Sequence, residues 1–128
     1  MSATFRAEDQ HWMQLAYQQA ALGAAQGEIP VGAVIVSEGK IIGQGFNQPI
    51  SSHDPTAHAE VVALRQACES IQNYRLPDDA TLYVTLEPCT MCVGALIHAR
   101  IDRVIIGTLE PKAGSLLSAR QKDRKSVV

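Results

Sequence analysis

From residue 31 onward the chain alternates runs that suit a strand with stretches that suit a helix, and this restricts its fold more than any other feature. Val31 to Val36 is an unbroken nonpolar run, mostly β-branched. Ser37-Glu38-Gly39-Lys40 interrupts it and Ile41 to Phe46 resumes it, so the pattern predicts a hairpin. A polar segment, Asn47 to Pro55, reads as loop and leads to a helical stretch from Ala57 to Gln72. Asn73 to Ala80 carries the turn chemistry of Pro77-Asp78-Asp79; Thr81 to Leu86 is strand-like, Thr90 to Arg100 helix-like and Val104 to Gly107 a short strand. Ahead of the hairpin, Glu8 to Gln26 places Met13, Ala16, Tyr17, Ala20 and Ala24 at helical spacing and stops at Gly27. The order is α-β-β-α-β-α-β. Strands joined through helices imply a parallel portion of sheet, hence a layered α/β domain.

A chain of 128 residues encloses one core, and no repeat or low-complexity block divides it. Residues 1–115 read as the domain and 116–128 as its basic tail. No window approaches the run of about 18 apolar residues that a membrane span needs. The first residues, MSATFRAEDQHW, lack the apolar core of a secretory signal, which points to the cytoplasm. From Arg100 on, seven basic residues face three acidic ones, so a net −2 chain has a basic end. That end suits a polyanionic partner or a solvated tail.

Three cysteines in a reducing compartment favour metal or redox chemistry over a disulfide framework. Cys89 and Cys92, in Pro88-Cys89-Thr90-Met91-Cys92, follow a strand and open a helix, which sets them on one helical face. The positive helix end favours thiolates. Metal binding, a thioredoxin-like redox pair and two structural cysteines all fit this motif alone. His58-Ala59-Glu60, at the start of the other mid-chain helix, adds an imidazole, and one nitrogen with two sulfurs suits zinc. Both motifs begin helices that follow strands, so they converge at one sheet edge, where α/β sites lie. Three protein ligands leave a position open, as in catalytic zinc sites.

Cys68 lies ten residues along the His58 helix, roughly 15 Å away at about 1.5 Å per residue. It reads as a buried core residue rather than a fourth ligand. His11, His53 and His98 fall outside the motifs. Glu60 points away from the ligand side; beside an activated water it can take a proton and return it to a leaving group.

His-x-Glu followed by Pro-Cys-x-x-Cys resembles the signature of zinc nucleobase deaminases. Within that superfamily the stretches EIPVGAVIV, GQGFN, HDPTAHAE, NYRL, LYVTLEPCTMC and GTLEPKAGS are similar to bacterial tRNA-specific adenosine deaminases, over roughly residues 8 to 115. The resemblance implies a three-layer α/β/α domain with a mixed sheet, and hydrolytic deamination of adenosine to inosine at the wobble position of a tRNA anticodon loop. It carries over His58, Cys89 and Cys92 as ligands of one zinc ion and Glu60 as proton shuttle. Asn47 becomes a substrate contact, with a turn role as the alternative, and Glu110 a contact to a ribose hydroxyl, with a solvated loop acid as the alternative. A homodimer acting on tRNA or other single-stranded nucleic acid is implied as well.

After Ser115 the ending LLSARQKDRKSVV departs from the family pattern, so its usual last strand and C-terminal helix are expected to be absent. The rival functions are deamination of cytosine, cytidine or guanine and, from another class, a non-catalytic zinc-stabilised binding subunit.

Overall fold

A computed structural model describes residues 5–108. In chain order these form α1 (Ala7–Ala25), β1 (Gly32–Ser37), β2 (Lys40–Phe46), α2 (Pro49–Ser52), α3 (Ala59–Ile71), β3 (Thr81–Leu86), α4 (Thr90–His98) and β4 (Arg103–Thr108). The expected series is present with one addition. The Asn47–Pro55 segment, expected as loop, contains the one-turn helix α2, with Pro49 at its first position and left-handed His53 at its end. Four residues are too few for a periodic signal. The boundary expected at residue 115, the tail beyond it and the expected loss of a last strand and helix lie outside the described residues.

The sheet runs β2-β1-β3-β4, with β1 antiparallel to both neighbours and β3 parallel to β4. It is therefore mixed. The hairpin turn carries Glu38 and Gly39 at φ of 51° and 71°, the two left-handed positions of a tight hairpin. Asp79 closes it from the β3 side, accepting from the Ser37 hydroxyl at 2.7 Å and the Glu38 N–H at 2.9 Å.

Alternate residues of β1 and β3 serve opposite faces. Ala33, Ile35, Leu82 and Val84 pack with Ala59, Ala63, Ala67 and Leu96 of α3 and α4. Val34, Val36, Tyr83 and Ile105 pack with Ala16 of α1. Three layers result, and burial on both faces explains why β1 is nonpolar without alternation. Two close approaches set the spacing of the layers. A Cβ on Gly32 would strike the Ala16 carbonyl of α1, and one on Gly43 would strike the Ala63 carbonyl of α3.

The α1 stripe differs from the expected one. Asp9, Ala16, Ala20 and Gly23 are buried, whereas Tyr17 and Ala24 are exposed. The tight approach over Gly32 admits small residues only, and a charged one, Asp9, joins them. Its carboxylate accepts from Arg103 Nη1 at 2.9 Å and Nη2 at 2.7 Å, from the Tyr83 hydroxyl at 2.6 Å and from the Arg6 N–H at 2.6 Å. Those four bonds use its whole acceptor capacity and tie α1 to β3 and β4.

Candidate functional site

β2 and β3 run the same way, so their C-terminal ends share one sheet edge with the segment that precedes β1. A cleft of about 310 Å³ opens there, lined by Ile29, Val31, Asn47, His58, Glu60, Leu86, Glu87 and Cys89. Its floor is built by two helix starts. His58 is the N-cap residue of α3, and Cys89 that of α4, with Cys92 buried in the first turn. Cys89 thus precedes the helix instead of lying on its face, but the two sulfurs still adjoin. Neither His58 nor Cys89 uses its side chain to cap its helix; both turn toward the other.

The three ligand atoms form a small triangle. His58 Nδ1 lies 3.6 Å from Cys89 Sγ and 3.4 Å from Cys92 Sγ, and the two sulfurs are 3.7 Å apart. Tetrahedral zinc, at about 2.3 Å from sulfur and about 2.05 Å from nitrogen, requires about 3.8 Å between sulfurs and about 3.5 Å between sulfur and nitrogen. All three sides fit. Among the described residues this is the group of His, Cys, Asp or Glu able to hold a metal ion. Burial, then the neighbouring Glu60 and Cys89, pushes the Cys92 thiol well above its ordinary value. A divalent cation inside the triangle reverses the balance, because a coordinating thiol is deprotonated outright.

Glu60, the second residue of α3, is buried in the cleft and stands outside the ligand triangle. Burial, opposed by its own N–H and the Cys92 thiol, raises its carboxyl to about 7. A carboxyl at that value both takes and gives protons near neutral pH.

Asn47 combines the two roles weighed for it. Its Oδ1 accepts from the Ala59 N–H at 3.3 Å, capping α3 where His58 does not, while the residue lines the cleft. Glu110 lies outside the described residues. Cys68 is half-buried rather than enclosed; its thiol faces the Tyr74 carbonyl at 3.8 Å, away from the triangle. His11, His53 and His98 are exposed and belong to no metal group among the described residues.

Ile29, Val31, Leu86 and Glu87, which line the cleft, and Glu28 beside it carry no functional signal in the sequence. The apolar residues read as strand or loop, and only the convergence of three chain segments makes them walls. Glu28 and Glu87 are buried acids, which stand out only once burial is known.

Residues 6–108 match the family described as the cytidine and deoxycytidylate deaminase zinc-binding region. The chain belongs to that family. Among relatives of this deaminase, a tRNA-specific adenosine deaminase of Haemophilus influenzae is 51% identical over 117 residues, covering 90% of this chain and 67% of the relative. One from Buchnera aphidicola subsp. Schizaphis graminum is 52% identical over 99 residues, covering 77% of this chain and 65% of the relative. The deaminase therefore spans about two thirds of the length of these relatives.

A solved structure from a study of A-to-I editing by tRNA:A34 deaminases at the wobble position superposes with a TM-score of 0.82 at 45% identity, covering 85% of this chain and 78% of the other. A guanine deaminase from Bacillus subtilis gives 0.75 at 42% identity, covering 82% and 66%. The three-layer architecture and the mixed sheet agree with this family.

Proposed function

We propose that this chain hydrolytically deaminates adenosine to inosine in RNA, at the wobble position of a tRNA anticodon loop, with one zinc ion held by His58 Nδ1, Cys89 Sγ and Cys92 Sγ. The observation that carries the chemistry is the ligand triangle, whose sides match tetrahedral zinc, beside a buried acid in an open cleft. The resemblance to tRNA-specific adenosine deaminases supports the substrate.

A bound zinc ion would supply an acidified water at its open position. Glu60, enclosed in the cleft beside the triangle, would accept a proton from the attacking water and return it to the departing amine. Ile29, Val31 and Leu86 give a planar base apolar walls and exclude solvent. Asn47, anchored through Oδ1, has its Nδ2 group left to donate to a base edge. The cleft takes one base out of the stack, which a single-stranded loop presents readily. A homodimer working in the cytoplasm completes the reading, and light scattering of the purified chain tests the dimer.

The deciding experiment measures bound zinc and then assays an anticodon-loop RNA hairpin, free cytidine and free guanine, with Glu60→Ala as control. Inosine from the hairpin, absent in Glu60→Ala, is expected. Similarity to the guanine deaminase favours guanine as the second reading, and turnover of guanine alone would replace the first. A folded, zinc-loaded chain inert toward all three would point to a binding subunit.

A further inference from the structure

Glu28 is buried beside the cleft, yet neither the metal triangle nor the proton shuttle uses it. Its carboxylate accepts from the Ser51 N–H at 2.7 Å and the Ile50 N–H at 3.3 Å, the two donors near the start of α2. No ion pair among the described residues includes Glu28. A buried charge is costly unless hydrogen bonds hold it, and here a one-turn helix supplies them. Gln48, the N-cap residue of α2, makes no side-chain cap bond. The helix therefore takes its cap from a residue about 20 positions upstream in place of its own neighbour.

The position of this contact is what matters. Glu28 immediately precedes Ile29, and Ile29 with Val31 forms one wall of the cleft. The α2 segment carries the chain from Asn47, on another wall, to His58. At its entry the Asn47 N–H bonds the Val31 carbonyl at 3.0 Å, and the Gln48 N–H bonds the Ala57 carbonyl at 2.9 Å. One carboxylate thus joins the Ile29 side of the cleft to the segment that follows Asn47.

We propose that Glu28 is a positioning residue, which through α2 holds the segment between Asn47 and His58 against Ile29 and so keeps the cleft at the width that grips the base. This rests on the reading of the cleft as a nucleobase site. It predicts a loss of substrate binding rather than of chemistry, because Glu28 is neither in the ligand triangle nor on the lining of the cleft. Glu28→Gln sets an amide N–H₂ where one backbone donor needs an acceptor, and Glu28→Ala removes both acceptors.

The test combines kinetics on the RNA hairpin with NMR of the zinc-loaded full chain. KM is expected to rise about tenfold in Glu28→Gln and further in Glu28→Ala, with kcat within about twofold of wild type, as for loss of uniform binding. The Ile50 and Ser51 amides should exchange about tenfold faster, and the Asn47 side-chain amide resonance should shift. An unchanged KM, with kcat falling in step with the folded fraction, would make Glu28 merely structural and overturn the proposal. An unmoved Asn47 resonance would overturn it too. If wild type makes no inosine, the functional reading falls, while the exchange and the Asn47 resonance still decide the role of Glu28.

Discussion

Replacing Asp9 by alanine tests whether the buried ion pair between α1 and β4 holds the layers together. The Asp9 side chain is 0% exposed and that of Arg103 3%, with 2.7 Å between Arg103 Nη2 and Asp9 Oδ2. Asp9→Ala leaves a buried guanidinium without its carboxylate and frees the Tyr83 hydroxyl and the Arg6 N–H. Breaking one side of such a pair costs about 3–5 kcal/mol, a large share of the roughly 5–15 kcal/mol that holds a domain. Urea unfolding followed by Trp12 fluorescence is the assay. Trp12 is the sole tryptophan and sits half-buried on α1 near Asp9. At an m-value of about 1–2 kcal/mol/M, the midpoint should fall by roughly 2 M or more.

The same site sets an acid limit. Burial would raise the Asp9 carboxyl, but its bonds to Arg103, Tyr83 and Arg6 outweigh that and hold it at about 2. A carboxyl lowered on folding contributes its stability above its unfolded value of about 3.9 and loses it as pH falls toward 2, in all about 2 kcal/mol. Wild type should therefore weaken between about pH 4 and 2 more steeply than Asp9→Ala. The double variant Asp9→Leu with Arg103→Met should recover much of the loss, since it removes both buried charges together. A midpoint change in Asp9→Ala equivalent to less than about 1 kcal/mol, or a double variant as weak as the summed singles, would refute the reasoning.

Three further outcomes follow from the site and the layer spacing. Glu60→Gln should retain stoichiometric zinc by elemental analysis yet lose about 10²–10⁴ in kcat, the range for a positioned proton-transfer group. Cys92→Ser should lose zinc and activity together, and chelator-treated wild type should regain both on adding zinc. A zinc ion held only by the folded triangle would stabilise the fold, so the stripped chain should also melt at a lower temperature. Gly43→Ala drives a methyl into the α3 backbone at Ala63 and should cost about 1–3 kcal/mol. Gly94→Ala, in α4, meets nothing within 4 Å and should instead stabilise by up to about 1 kcal/mol. Thermal melts of the two variants check this contrast.

Features that depend on neighbouring residues could be read from the chain. Ile41 to Phe46 and Thr81 to Leu86 were visible as strands, within a residue of the observed ones, because β-branched residues and turn residues act within a few positions. His58, Cys89 and Cys92 were visible as a group because each motif opens a helix, and two helices following parallel strands start at the same sheet edge. Features that depend on contacts between distant segments could not. Tyr17 and Ala24 keep helical spacing with Ala20, yet they face outward, since the bare backbone of Gly32 draws α1 in along Ala16 and Ala20.

Helix α2 shows the limit most clearly. Its stop at left-handed His53 is local, but its cap comes from Glu28, whose partner Ser51 lies 23 residues on. Gln48, next to Pro49, is a poor capping residue, so no local signal marks a helix in a segment that reads as loop. That cap is made only when the strand-leading loop is docked against the segment. Its order is therefore a property of the assembled cleft, and a substitution at residue 28 should act first on that cleft and only afterwards on the domain.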